Sequence, residues 1–298
     1  MRWTAPTTSL IRQIAVPQSD GDIFATAEFE EKVTLWSLSS RKKLSEIRTV
    51  LDFGGKRLTL VQESGFTLVS AASFCGPVNA YDQEGSILWS RKDLVGVQQL
   101  TAIPNAPEPM IGVGADDQAY KIVSARDGKE IAELDGIKEV YASNETAQML
   151  AITRRHSLCL IDLNSNSIWK RSLKSFGVLH ACLSSKEAAY SEAAGATYCV
   201  DQKGNQKWML SPEKDRHFLR VAWNQTAGRW MAIDWDYAHG GPKQLLQVSD
   251  AGTAALITTL GEPAVSEFSA TGDRLITSNG DIFEIPSGRV IWNYLRES

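Results

Sequence analysis

Two stretches of the sequence decide the fold: Asn79 to Trp89 reads NAYDQEGSILW, and Tyr198 to Trp208 reads YCVDQKGNQKW. Each stretch contains a short apolar run, a D-x-x-G turn and a second run that ends in tryptophan. Weaker copies of the same pattern begin at five other positions: Leu35, Tyr120, Cys159, Leu245 and Ile282. The copies lie about 41 residues apart on average, which is the spacing of β-propeller blades.

A turn residue can be assigned to each copy, and a second landmark precedes it. The turn residues are Arg41, Gly85, Gly128, Asn166, Gly204, Gly252 and Gly288. The second landmark is a turn rich in Ser, Asn, Thr and Gly, as in ASNETAQMLA from Ala142 and AWNQTAGRWMA from Ala222. We therefore interpret the N-x-T sequons at Asn144 and Asn224 as hairpin turns.

The two landmarks divide each repeat into four short strands, which we call a to d. In the fourth repeat the predicted strands are Lys138 to Ser143, Gln148 to Thr153, Ser157 to Leu163 and Ser167 to Leu173. The sequence thus predicts an all-β fold: a single seven-bladed β-propeller domain over residues 1–298, with four-stranded antiparallel blades. The predicted blade boundaries are 7–48, 49–93, 94–135, 136–174, 175–212, 213–261 and 262–298. These boundaries need no strand exchanged between the two ends of the chain, although Met1 to Ala5 could pair on an edge.

Composition excludes several classes of protein. Of 298 residues, 43% are apolar and 22% are charged, so the chain can form a core and is not disordered. A net charge of −4 argues against nucleic-acid binding. No apolar run is long enough for a membrane span, and the N-terminus is a poor secretory signal, so we predict a cytoplasmic protein. The four cysteines, Cys75, Cys159, Cys182 and Cys199, form no C-x-x-C pair and are interpreted as small buried apolar side chains.

The seven copies resemble the repeats of WD40-like and quinoprotein-like (PQQ-like) β-propellers over nearly the whole chain. The resemblance implies that Trp89, Trp169, Trp208 and Trp292, at matching places in four repeats, pack between neighbouring blades. The chain also departs from both patterns. The Trp-Asp pair of WD40 repeats is absent, with Trp36 followed by Ser37, and no two cysteines are adjacent as in quinoprotein dehydrogenases. We therefore expect no cofactor.

Blade 6 is the candidate functional region because it has the longest interval between turn residues. Its segment from Arg229 to Pro242, RWMAIDWDYAHGGP, leads into the longest b–c connection, on the face where the d–a connections also emerge. One interpretation is a strand packed on both sides with a polar tip. The other is a partner-binding patch, since Trp, Tyr and Arg often anchor interfaces. The candidate residues are Trp235, Asp236, Tyr237, His239, Asp215 and His217, extended by Arg154, Arg155, His156 and Phe176.

These observations predict a non-catalytic module that binds another protein, as a monomer on its own. Sequestering or neutralising the partner, as a bacterial toxin immunity protein does, is one form of this function. The sequence has no G-x-S-x-G nucleophile motif and no regular metal-ligand spacing, so we predict neither an enzyme nor a metal site. The alternative is an enzyme or a small-ligand or metal-binding propeller, in which His156, His217, His239 and Asp236 converge in the central funnel.

Overall fold

Each sheet of the protein is formed by four strands that follow one another directly in the sequence. The computed structural model describes residues 11–17, 21–28, 32–49, 57–63, 66–72, 76–116, 118–163, 166–175, 177–212, 216–236, 241–263 and 265–296. Within these residues the strands form seven four-stranded antiparallel sheets, numbered here as blades 1 to 7. The prediction of an all-β propeller with four-stranded antiparallel blades is therefore confirmed.

The first four blades have the following strands. Blade 1 contains β1 (Gln13–Ala15), β2 (Ile23–Ala27), β3 (Lys32–Ser37) and β4 (Lys42–Arg48). Blade 2 contains β5 (Arg57–Glu63), β6 (Phe66–Ala72), β7 (Val78–Tyr81) and β8 (Ile87–Arg91). Blade 3 contains β9 (Val97–Ile103), β10 (Met110–Ala115), β11 (Tyr120–Ser124) and β12 (Glu130–Leu134). Blade 4 contains β13 (Ile137–Ala142), β14 (Gln148–Thr153), β15 (Ser157–Asp162) and β16 (Ser167–Ser172), each within one residue of the predicted bounds.

The last three blades complete the ring. Blade 5 contains β17 (Val178–Leu183), β18 (Glu187–Glu192), β19 (Thr197–Asp201) and β20 (Gln206–Leu210). Blade 6 contains β21 (Arg216–Asn224), β22 (Arg229–Asp236), β23 (Lys243–Val248) and β24 (Ala254–Gly261). Blade 7 contains β25 (Ser266–Phe268), β26 (Arg274–Thr277), β27 (Asp281–Glu284) and β28 (Arg289–Asn293).

A β-bulge in the outer strand recurs in all seven blades and positions the tryptophans. The extra residues are Leu44, Leu88, Ile131, Ile168, Lys207, Ile257 and Ile291. Where a blade has the repeated tryptophan, that residue comes directly after the bulge, as Trp89 does after Leu88. Since a bulge locally bends and twists its strand, its repetition gives the outer strands one shared geometry. In six blades the predicted turn residue has a positive φ: Arg41, Gly85, Gly128, Gly204, Gly252 and Gly288.

One apolar cluster fills each contact between neighbouring blades, and the last cluster joins blade 7 to blade 1. Trp89, Trp208 and Trp292 are members of three of these clusters, and Trp169 packs against a fourth. The prediction that these rings pack between blades is thus confirmed.

The ring closes by side-chain packing, because each described sheet is formed by strands consecutive in the sequence. Phe24 and Trp36 of blade 1 meet Trp292 and Tyr294 at the end of blade 7, with Trp36 and Tyr294 centroids 5.0 Å apart. We call these four residues the closure cluster. The suggested edge pairing of Met1 to Ala5 lies outside the described residues.

Candidate functional site

The a strands of the seven blades line a central channel, and the antiparallel order fixes which connections share a face. The d–a and b–c connections emerge together on what we call the upper face. The a–b and c–d turns emerge on the lower face. Loops on a rigid propeller scaffold are the usual carriers of function, so the candidate regions are the upper face and the two ends of the channel.

The first hairpin of blade 6 extends farther than those of its neighbours. Blades 3 to 6 share a second bulge in strand a, at Gln98, Lys138, Leu179 and Leu219. Between this bulge and the upper face, strands a and b form one residue pair in each of blades 3 to 5, whereas they form three pairs in blade 6. The two additional pairs are His217 with Trp235 and Arg216 with Asp236, which we call the blade 6 extension.

One sequence position explains why this hairpin is longer in blade 6. It is the residue of strand a that comes just before the pair shared by blades 3 to 6. Blades 3 to 5 have glycine there, at Gly96, Gly136 and Gly177, and each glycine carbonyl accepts one last backbone hydrogen bond from strand b's end. Gly96 and Gly136 have φ values of 68° and 70°, a left-handed conformation that takes the chain out of the ladder. Blade 6 has His217 at this place and the strand continues.

The base of the blade 6 extension is held by a buried ion pair. The Arg216 guanidinium donates from Nε and Nη2 to the two carboxylate oxygens of Asp234, both at 2.7 Å. Asp234 is only 6% exposed, so removing either partner would leave a poorly solvated charge. This bidentate pair fixes the end of the hairpin, and it was not predicted from the sequence.

Trp235 and His217 lie against neighbouring residues of the upper face. The Lys243 ammonium is 5.6 Å from the centroid of the Trp235 ring, and burial lowers the pKa of Lys243. A Cβ atom added to Gly195, in the b–c turn of blade 5, would lie 3.2 Å from the His217 ring. The half-buried Trp235 ring is therefore oriented by a cation, and the extension touches blade 5.

The remainder of β22 supports the interpretation of a strand packed on both sides. Trp230 and Ala232 belong to the cluster between blades 5 and 6, whereas Met231 and Ile233 belong to the cluster between blades 6 and 7. The alternation breaks at Trp235, which lies beyond both clusters among the described residues. The interpretation of a strand packed on both sides therefore holds from Trp230 to Ile233, and the partner-binding interpretation stays a prediction for the end of the strand.

The other predicted patch residues are distributed as follows. Arg154, Arg155 and His156 form the exposed turn between β14 and β15. The Arg154 guanidinium contacts blade 3, where it donates to the carbonyls of Gln118 and, at 3.4 Å, Ala115. These two hydrogen bonds are on the side of blade 4 away from blade 6. Four further predicted residues lie outside the described part of the chain: Phe176, Asp215, Tyr237 and His239.

A second polar group, not predicted from the sequence, lies in the channel itself. Tyr141, His180, Arg220 and Glu267 come from the a strands of blades 4 to 7, and we call them the channel cluster. Arg220 Nη2 lies 3.2 Å from Glu267 Oε2, and His180 Nε2 lies 3.9 Å from Glu267 Oε1. The Tyr141 and His180 rings meet edge to face with centroids 5.7 Å apart.

The described channel lining differs from the expected convergence of histidines in the funnel. This lining includes His180, which is not among the predicted site residues, and it includes neither His156 nor His217, whereas His239 lies outside the described residues. A signal was available in the sequence. Gln99, Glu139, His180 and Arg220 each follow the bulge residue of strand a, so a polar residue recurs at nearly the repeat spacing in the a strands of blades 3 to 6.

Burial governs the protonation of the channel cluster. It lowers the pKa of His180 well below 6.5, and the nearby Arg220 cation acts in the same direction. Burial also raises the pKa of Glu267, although Arg220 opposes this. At neutral pH His180 is therefore uncharged, and Glu267 accepts a proton more readily than an exposed glutamate.

The protonation of His180 predicts a pH dependence of stability. Above pH 6.5 the His180 imidazole is neutral in both the folded and the unfolded protein. As the pH falls below 6.5 the unfolded chain binds a proton at His180 and the folded chain does not, so the free energy of unfolding decreases. Between pH 7.5 and 5.5 we expect the wild type to lose up to about 1.4 kcal/mol more unfolding free energy than His180→Gln. Urea unfolding of both proteins at pH 7.5, 6.5 and 5.5 measures this, and equal pH dependences would contradict it.

The described residues contain neither a metal-ligand cluster nor a helix that could span a membrane. Within the described residues there is no group of three or more His, Cys, Asp or Glu side chains that could hold a metal ion. The same part of the chain contains no helix long and apolar enough to cross a membrane. Cys159 and Cys199 are buried and Cys182 is half-buried, all as free thiols, whereas Cys75 is outside the described residues.

Comparison with known proteins identifies a solved structure with the same fold. The sequence matches no protein-family model and no curated protein significantly. Among solved structures, the β-propeller domain of Cps50 (Swd1) from Myceliophteria thermophila superposes with a TM-score of 0.70 over 96% of this chain and 98% of that one, at 14% identity. The chain has the fold of a WD40-like β-propeller. Because 1588 solved chains match and the identity is only 14%, this similarity shows the fold and does not show the function.

Proposed function

We propose that this WD40-like propeller is a non-catalytic module that binds a partner protein on its upper face, with the blade 6 extension as the anchor. The fold is of a kind commonly used for protein interaction. The observation that carries the proposal is the pair of additional rungs in blade 6, which takes Trp235 and His217 beyond the two apolar clusters of that blade.

The chemistry of the extension suits an interface anchor. A tryptophan ring provides a large contact area with few rotatable bonds, and tryptophan is enriched among the residues that dominate binding energy. Here the Lys243 ammonium lies 5.6 Å from the ring centroid, and the strand that carries the ring is fixed by the Arg216–Asp234 ion pair. A site held this firmly loses little conformational freedom when a partner binds.

Asp236 follows Trp235 directly in β22, so the two side chains point to opposite faces of the strand, and the extension carries both an apolar ring and a carboxylate. A partner would accordingly offer an apolar pocket for the ring and a basic or hydrogen-bond-donating group for the carboxylate. Sequestration of that partner, as an immunity protein sequesters a toxin, is one form of the proposal. Cytoplasmic location and a monomeric free state are further parts of it.

The first test is capture of a stoichiometric partner, followed by a binding measurement with purified components. The partner is identified by mass spectrometry after affinity purification from an extract of the producing organism. We then expect Trp235→Ala to weaken its binding by at least about thirtyfold, which corresponds to the 2 kcal/mol typical of a hot spot. Calorimetric titration measures the change.

Leu88→Ala serves as the matched control, because Leu88 is 44% exposed on the outer strand of blade 2 and away from the upper face. This variant should bind like the wild type. If Trp235→Ala and Asp236→Ala both keep wild-type affinity while remaining folded, or if Leu88→Ala weakens binding equally, the proposed site is wrong.

A further inference from the structure

A hydrogen bond crosses the channel at its lower face. Asn144 in the a–b turn of blade 4 donates from Nδ2 to the carbonyl of Ala270 in the a–b turn of blade 7, at 2.8 Å. These two blades are not neighbours, so the hydrogen bond crosses the channel. Above it lies a cavity of about 230 Å³ lined by all seven a strands. That volume accommodates a small organic molecule.

The walls of the cavity offer hydrogen-bond donors that the protein does not fully use. The ion pair of Arg220 with Glu267 joins one guanidinium nitrogen to one carboxylate oxygen at 3.2 Å, whereas a guanidinium has five N–H donors. His180 Nδ1 accepts a hydrogen bond from the Val221 backbone N–H at 3.4 Å. Since His180 is neutral, we assign its proton to Nε2, which is 3.9 Å from Glu267 and too far away for a direct hydrogen bond.

The charges that face the cavity favour an anion over a cation once Glu267 is protonated. The titratable side chains of the lining are Tyr141, His180, Cys182, Arg220 and Glu267. Burial raises the pKa values of Tyr141 and Cys182 and lowers that of His180, so these three are uncharged at neutral pH. Arg220 is then the charged side chain of the lining, and Glu267 is its competing internal partner. Behind the lining, Glu139 accepts the Tyr141 hydroxyl hydrogen at 3.3 Å, the Glu145 carboxylate acts on Cys182, and the Lys243 cation is close enough to interact with Arg220.

We propose that this cavity binds a small carboxylate, which pairs with the Arg220 guanidinium and accepts the Nε2 hydrogen of His180. A planar guanidinium fork matches the two oxygens of a carboxylate, and such charge-assisted pairs are the strong hydrogen bonds of protein sites. The ligand replaces Glu267 as the partner of Arg220, and Glu267 takes up a proton from solvent. This site is separate from the blade 6 extension and does not depend on partner binding.

Isothermal titration calorimetry with acetate, propionate and succinate tests the proposal at pH 6.0 and 7.5, with phosphate and chloride as comparison anions. We expect saturable binding of at least one carboxylate with one site per chain, tighter at pH 6.0. Arg220→Gln should weaken it at least tenfold. Glu267→Gln removes the competing carboxylate while keeping its shape, and it should tighten binding at pH 7.5 and abolish the pH dependence.

Arg155→Gln, a change in the exposed turn of blade 4, is the control and should bind like the wild type. Thermal unfolding of every variant shows whether it folds, and Glu267→Gln gives an independent answer if Arg220→Gln does not. The proposal is overturned if no carboxylate binds the wild type saturably, or if folded Arg220→Gln binds as tightly. Equal binding of phosphate, with the same dependence on Arg220, would overturn the choice of a carboxylate.

Discussion

Trp292→Ala is expected to lower the free energy of unfolding by about 3 to 5 kcal/mol, because it removes a large ring from the only described contact that closes the propeller without a chain connection. Trp292 is 5% exposed. Its ring lies 6.3 Å from the rings of Phe24 and Trp36 and 6.1 Å from that of Tyr294, each in an edge-on arrangement. Removing the ring therefore takes away contacts with both blade 1 and the end of blade 7. Urea unfolding followed by circular dichroism measures it.

The position of Trp292 in the ring gives this prediction a second readout. Blades 1 and 7 are not consecutive in the chain, so weakening their contact allows both to separate from the ring. Hydrogen exchange should therefore accelerate in β1–β4 and β25–β28 of Trp292→Ala. In Trp89→Ala, at the contact between the consecutive blades 2 and 3, faster exchange should stay within those two blades.

Tyr294→Phe is the conservative control at the same seam. Tyr294 is fully buried, and its hydroxyl donates to the Thr277 carbonyl at 2.7 Å. Phenylalanine keeps the ring and loses only this hydrogen bond, so the expected loss is about 1 kcal/mol. A Trp292→Ala protein with the stability and exchange pattern of Tyr294→Phe would show that the ring does not close through the closure cluster.

The fold was predictable because a propeller repeats its local signals. The D-x-x-G turn and the following Trp recur with the blade, so errors at one copy are corrected by the others. Asn144 and Asn224 illustrate this. Their sequons suggest glycosylation when read alone, but their repeat positions predict turns, and Asn224 is fully buried with its side-chain amide donating to Gly272 at 2.9 Å.

The candidate site was only partly predictable, because its details depend on register. The longer interval in blade 6 indicated an insertion, but it did not show that the first hairpin gains two residue pairs or that Arg216 pairs with Asp234. The channel cluster was missed for a similar reason. A bulge shifts which residues of strand a face the channel, and sequence alternation alone does not reveal where a bulge lies.

Gly272→Ala is the second substitution with a large expected effect, and Gly228→Ala is its matched control. Both glycines lie in a–b turns with left-handed backbones, at φ values of 67° and 60°. A Cβ atom on Gly228 meets nothing within 4 Å, so that variant has only the backbone strain, about 1 kcal/mol. A Cβ atom on Gly272 would lie 2.4 Å from the Trp223 carbonyl oxygen, so the backbones of two blades must separate.

We expect Gly272→Ala to lower the unfolding free energy by about 3 kcal/mol or more, since neither turn can move freely. The Gln225 N–H donates to the Thr271 carbonyl at 2.9 Å, and Asn224 donates to Gly272, so a shift that relieves the clash also breaks these hydrogen bonds. Urea unfolding of the two variants gives the difference, and equal losses would contradict the close approach. Because this contact is on the lower face, folded Gly272→Ala should bind the partner protein like the wild type, which separates its structural role from the function proposed for the upper face.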